Sequence, residues 1–83
     1  MLSLHFFNRH NHEHRLALIW KQGTFLEVRQ SKSCHIGLYS MGKFFAEIWY
    51  RPADNETELV RGFTSKAMLE PYLALVDLKE ITD

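Results

Sequence analysis

Leu16, Ala17, Leu18, Ile19 and Trp20 form an apolar run closed by Lys21, Gln22 and Gly23. A run this short does not separate helix from strand by period alone. Asn11 as an N-cap, Lys21 in the last turn and Gly23 as a left-handed cap favour a helix over residues 15–22; the rival is a hairpin turning at Gln22 and Gly23. In residues 24–30, Leu26 and Val28 alternate with Glu27 and Arg29, the two-residue period of a half-buried strand. Ser31, Lys32 and Ser33 supply a turn. Residues 34–40 and 43–51 are rich in β-branched and aromatic side chains and meet at Met41 and Gly42, which predicts a hairpin. Pro52, Asp54 and Asn55 turn the chain again, and residues 57–63 return as a fourth strand. Thr64 or Ser65 caps a final helix whose apolar stripe runs through Ala67, Met68, Leu69, Tyr72, Leu73 and Val76. Pro71 either kinks that helix or restarts it from a first turn. The predicted fold is α+β, a four-stranded antiparallel meander sheet with a short N-terminal helix and a C-terminal helix.

Ahead of these elements, residues 1–14 hold four of the five histidines and are predicted to be a polar N-terminal arm, leaving residues 15–83 as a single α+β domain. Leu4 then counts as a surface side chain.

A two- or four-residue turn at Met41 and Gly42 pairs Leu38 with Phe45 and Ile36 with Glu47, and a tight turn at the next corner pairs Trp49 with Val60. One face then carries Cys34, Ile36, Leu38, Phe45, Trp49 and Val60, with Glu47 its only charge. The other carries His35, Gly37, Tyr39, Phe44, Ala46, Ile48, Tyr50, Leu59, Arg61 and Phe63. Apolar residues on both sides imply that both faces are covered, one by helices and the other by a partner or ligand. An odd-length turn shifts this register and exchanges the sets.

Eighty-three residues allow one domain, and at 46% hydrophobic and 13% aromatic the chain has the core material that disordered sequences lack. Ten basic and ten acidic side chains cancel, which excludes a strongly basic nucleic-acid binder or a polybasic membrane anchor. The balance hides a division: residues 1–43 are net +4 and residues 44–83 net −4, a pattern suited to attraction within the fold or between two copies. Apolar runs fall far short of the roughly 20 residues needed to cross a bilayer, and the first residues lack a signal peptide's basic start, so the cytoplasm is the expected location. With Cys34 the lone cysteine, no intramolecular disulfide is available.

His10, His12 and His14 would project from one side of an extended chain as a candidate zinc, copper or nickel site; on a helix only His10 and His14 share a face. Cys34 and His35 point to opposite faces of a strand and so cannot act together as nucleophile and base. Glu47, between Phe45 and Trp49, is a candidate carboxylate of raised pKa, unless it lies at the rim or pairs with Arg29 or Lys43. No phosphate loop, paired-carboxylate motif or serine elbow is present, so no catalytic activity and no cofactor are expected. The candidate partner or ligand face is His35, Tyr39, Phe44, Tyr50 and Arg61, where rings beside a cation suit stacking of bases or a flat ligand.

The G-T-F-L-x-x-R stretch from Gly23 to Arg29, L-Y-S at residues 38–40, F-F-x-E-x-W-Y from Phe44 to Tyr50 and L-E-P-Y-L from Leu69 to Leu73 together resemble a family of short uncharacterised bacterial proteins. The resemblance spans roughly residues 15–78 and implies an intact small α+β domain with no assigned activity. In order of elements alone, the chain also resembles the single-strand-binding coactivator and Pur-repeat modules, which are more basic on their binding sheet. The expected function is a small non-catalytic interaction domain that homodimerises through a sheet face. The alternative is single-stranded nucleic-acid or small-ligand binding on the aromatic face; no membrane partner is expected.

Overall fold

The computed structural model describes residues 2–73. Two helices, α1 (Leu4–Asn8) and α2 (His12–Gln22), precede four strands, β1 (Thr24–Ser31), β2 (Cys34–Ser40), β3 (Phe45–Arg51) and β4 (Glu56–Phe63). A 3-10 turn (Lys66–Leu69) runs directly into α3 (Glu70–Leu73). The strands form one antiparallel sheet in the order β1-β2-β3-β4, so the predicted fold class stands. Val76, expected on the last helix, lies outside the described residues.

Each helix starts where a side chain satisfies a free amide. The Ser3 hydroxyl accepts from the Phe6 N–H at 3.1 Å, Asn11 Oδ1 from the His14 N–H at 2.9 Å, and the Ser65 hydroxyl from the Ala67 N–H at 3.3 Å. Pro71 occupies the first turn of α3, where its missing N–H costs nothing, so the helix restarts rather than kinks. The Asn11 cap and the helix ending at Gln22 hold as expected, but Gly23 is extended (φ −83°, ψ 151°) rather than left-handed. Its lack of a side chain matters sterically: a Cβ there would stand 2.7 Å from the Ile19 carbonyl oxygen and 3.1 Å from Met41 Sδ.

The proposed polar arm is instead part of the core. Phe7 is fully buried with Ile19, Met41, Phe44, Ala46, Ile48 and Val60, and Leu2 and Leu4 pack against that cluster. Periodicity over five residues that include His5 is too weak to announce such a helix. Arg15 fastens it, donating from Nη2 to the Asn8 carbonyl (2.7 Å), from Nε to the His10 carbonyl (2.8 Å) and from Nη1 to the Val60 carbonyl (3.0 Å). These bonds tie the end of α1, the start of α2 and β4 together. Gly62 allows the approach, since a Cβ on it would lie 2.7 Å from Leu4 Cδ1.

The β2–β3 loop has four residues, Met41 to Phe44, closed by the Met41 N–H donating to the Phe44 carbonyl at 2.9 Å. Leu38 therefore pairs with Glu47 and Ile36 with Trp49, two residues along from the expected pairings, which leaves the facing of β2 and β3 unchanged. At the next corner a bulge between Trp49 and Tyr50 shifts β4 by one. Val60 pairs with Ile48, not Trp49, and joins the α1–α2 side, while Arg61 and Phe63 turn to the side of Trp49 and Glu47.

Phe7→Ala is expected to cost about 3–5 kcal/mol and Leu4→Ala about 1–2 kcal/mol in urea unfolding. Unchanged stability in both variants would return residues 2–8 to a solvated arm.

Candidate interaction surface

Glu47 on β3 is completely buried. Its carboxylate accepts from Arg61 Nε at 2.7 Å, from Trp49 Nε1 at 3.1 Å and from the Tyr72 hydroxyl at 2.5 Å, and Arg29 Nη2 stands 3.6 Å away. The register makes this possible, because Glu47 lies opposite Arg61 on β4 and Arg29 lies opposite Ile36 on β2, one pair further along the same face. The two guanidiniums flank the Trp49 ring, Cζ to centroid 5.5 Å for Arg29 and 5.4 Å for Arg61, and Arg29 also sits 5.1 Å from the Tyr72 ring. Burial by itself raises the Glu47 pKa, but the bonds from Tyr72, Arg61 and Trp49 and the charge of Arg61 outweigh it, so the carboxyl lies below its ordinary range. The expectation of a raised pKa is thus reversed. Pairing with Arg29 is found, whereas Lys43 lies in the exposed loop. Around this centre Cys34, Ile36, Leu38, Phe63 and Tyr72 close the face, with Phe45, Trp49, Met68 and Leu69 packed against them.

The opposite face is covered over only half its width, because α1 and α2 both pack on β4. Beside the helices a groove of about 330 Å³, lined from all four strands, lies open. Its floor is a row of paired positions across three strands, Val28, Gly37 and Ile48. Trp20 from the end of α2, Tyr39 and Phe25 form one wall, with ring centroids 6.0 Å apart for Trp20 and Tyr39 and 5.6 Å for Phe25 and Tyr39. His35, Tyr50 and Thr57 form the other. Trp20 is 66% exposed, Phe25 56% and Val28 44%, and no carboxylate lines the groove. Burial of the Tyr39 hydroxyl pushes its pKa up, so this ring stays neutral.

Strand β1 alternates as its sequence predicts but the other way round. Glu27 and Arg29 are half-buried, whereas Phe25, Leu26 and Val28 are exposed. Arg29 faces inward because Glu47 is there, and the two-residue period then turns Val28 outward. A second cleft, of about 500 Å³, follows the free edge of β1 and is bounded by Val28, Arg29, Gln30, His35 and Pro71. It adjoins the groove through Val28 and His35. Arg29 Nε, buried at its head, has no hydrogen-bond partner among the described residues.

Of the five residues expected on the partner or ligand face, His35, Tyr39 and Tyr50 line the groove. Phe44 is buried in the core, its ring 5.3 Å from that of Phe7, and Arg61 lies on the opposite face beside Glu47. Trp20, Phe25 and Val28 were not among them. Trp20 carried a sequence signal, since it follows Ile19 by 100° around the helix and so leaves the buried stripe. The three histidines do not converge: His10 and His14 alone meet, their rings edge to face at 5.8 Å, while His10 Nδ1 donates to the Phe6 carbonyl at 2.7 Å and His12 starts α2. No group of three or more His, Cys, Asp or Glu suited to a metal occurs among the described residues. Cys34 is buried and donates to Glu58 Oε2 at 3.1 Å; that bond, burial and the Glu58 charge push its thiol pKa up, away from thiolate reactivity. No helix among the described residues is long and apolar enough to cross a membrane.

Compared with protein-family models, curated proteins and solved structures, the chain matches none of them.

Glu47→Gln is expected to lower stability by roughly 3 kcal/mol, the low end for breaking a buried ion pair because Arg61 can turn to solvent. Because the folded Glu47 pKa lies below its ordinary 4.5, its contribution is complete above pH 4.5 and is lost as pH falls through the folded value. Burial, the bond to Glu47 and the Glu47 charge raise the Tyr72 pKa above its ordinary 10.0, so that contribution is complete below pH 10.0 and is lost as pH rises through the folded value. Urea melts across pH should show both limbs, the acid one weakened by Glu47→Gln and the alkaline one by Tyr72→Phe. Identical pH profiles in the variants and the parent would contradict the network's role.

Proposed function

We propose that this chain is a small non-catalytic interaction domain that self-associates through the uncovered half of its sheet. The inverted facing of β1 carries the reading: the strand turns its charges into the covered face and leaves Phe25, Leu26 and Val28 exposed beside Trp20. A contiguous apolar surface of this kind is what a soluble domain keeps for a partner. The absence of chemistry is supported by how the reactive groups are used. Glu47 is satisfied internally, and Cys34 is protonated and bonded to Glu58. A neutral net charge lets two copies approach without long-range repulsion.

A second reading, stacking of single-stranded bases or a flat ligand in the groove, is supported by the rings of Trp20, Phe25, Tyr39 and Tyr50 with no carboxylate among them. Light scattering on the full chain at about 50 μM should give twice 9.8 kDa and fall toward 9.8 kDa on dilution. Trp20→Ala should weaken association about tenfold with little change in unfolding. A monomer throughout, combined with salt-sensitive oligonucleotide binding lost in Phe25→Ala, would select the second reading instead.

A further inference from the structure

We infer that the partner is a second copy of this chain joined edge to edge, β1 against β1 antiparallel about a two-fold axis at Val28, making one continuous eight-stranded sheet. The inference rests on the self-association just proposed and fixes where and in which register it occurs.

The two-residue turn at Lys32 and Ser33 makes Ser31 and Cys34 the closing pair of the β1–β2 hairpin. Such a turn closes on a hydrogen-bonded pair, and alternation then directs the N–H and C=O of Gln30 and Val28 away from β2. The Val28 amide fits this: it is spent on its own neighbour, donating to Glu27 Oε1 at 2.9 Å. β1 thus offers outward donors and acceptors at Val28 and Gln30, in the regular stretch that follows a bulge between Phe25 and Glu27, with Leu26 and Val28 exposed. Edges of this kind are what adding strands pair with. Among the described residues, the edge cleft beside Pro71 leaves space along it.

Charge selects the occupant and the register. Outward-directed residues must meet outward-directed residues, so a two-fold axis passes through a residue of β1 and not between two. An axis at Glu27 or Arg29 sets each against its own copy, like charge on like charge. An axis at Val28 pairs Val28 with Val28 through reciprocal backbone bonds, each Val28 amide exchanging its bond to Glu27 Oε1 for the carbonyl of the other copy, and the Glu27 carboxylate so released stands opposite Arg29 of the other copy, twice. Glu27 and Arg29 share the Glu47 face, so each pair forms there, and the carboxylate of Glu27 from the other copy approaches the Arg29 guanidinium, whose Nε has no partner among the described residues. On the reverse face the two aromatic grooves become continuous across Val28.

Sedimentation of the full chain tests the inference with three variants. Val28→Pro removes the outward amide without touching a β1–β2 bond and should weaken dimerisation at least about tenfold. Glu27→Arg, half-buried on the outer strand, sets like charges across the axis and should do the same while keeping the parent's cooperative unfolding; it decides the matter if Val28→Pro fails to fold. Under mild oxidation Val28→Cys should give a disulfide-linked dimer mapped to position 28 in both copies, since the Cα atoms of a hydrogen-bonded pair, about 5.5 Å apart, lie within disulfide range. A parent dimer that is lost in Trp20→Ala but unchanged in Val28→Pro and Glu27→Arg, or a cross-link that does not form, would overturn the edge pairing and leave self-association standing. A parent that is monomeric throughout would overturn both.

Discussion

The buried carboxylate of Glu47 is the constraint from which the remaining arrangement follows. A carboxylate withdrawn fully from water is costly unless donors surround it, and this one draws Arg61 from β4, Trp49 from its own strand, Tyr72 from α3 and Arg29 from β1. Four elements are thereby tied to one point on one face. The C-terminal segment is fixed through Tyr72, whose hydroxyl reaches the buried oxygen. The outer strands are fixed in register, since a one-residue slip of either would carry its arginine to the wrong side.

The same constraint sets what is left open. Holding Arg29 inward turns Val28 outward, and the bulge between Phe25 and Glu27 brings Phe25 to the same side, so β1 exposes both. The two N-terminal helices do not reach them, because Phe7 and the three bonds of Arg15 hold those helices over β4. Trp20, at the far end of α2, extends only to the rim of the uncovered half. The surface is a product of two anchors on opposite faces of the sheet: Glu47 draws the charges of β1 to its own side, and Phe7 and Arg15 hold the helices over β4 on the other. Its chemistry is that of contact: aromatic walls, an aliphatic floor and a free strand edge, with the ionised groups engaged elsewhere.

The meander and its four strands were legible in the sequence because turn chemistry and β-rich composition agree over residues 24–63, whereas at Pro71 the sequence left a kink and a restart equally open. Both apolar faces were also legible. The facing of β4 was not, because one bulged residue exchanges inside for outside and a bulge between Trp49 and Tyr50 leaves no composition signal. Arg61 and Val60 were misplaced for that reason alone. Phe7 was missed because a five-residue helix that itself contains His5 has no measurable period. At β1 the period was right and its phase inverted: hydropathy assigns Val28 inward, and only the presence of Glu47 beneath Arg29 reverses it. Part of the candidate site, His35, Tyr39 and Tyr50, was therefore visible in advance, while Trp20, Phe25 and Val28 became visible only once the helices and the network were placed.

Amide hydrogen exchange resolved by residue, at low and high protein concentration, tests the central claim most directly. The account predicts that Glu27 and Arg29, whose amides bond to β2, are protected at both concentrations, while Val28 and Gln30 gain protection only at high concentration, as the free edge becomes paired. Exchange at Val28 and Gln30 that does not respond to concentration, or a response centred on β4, would contradict it.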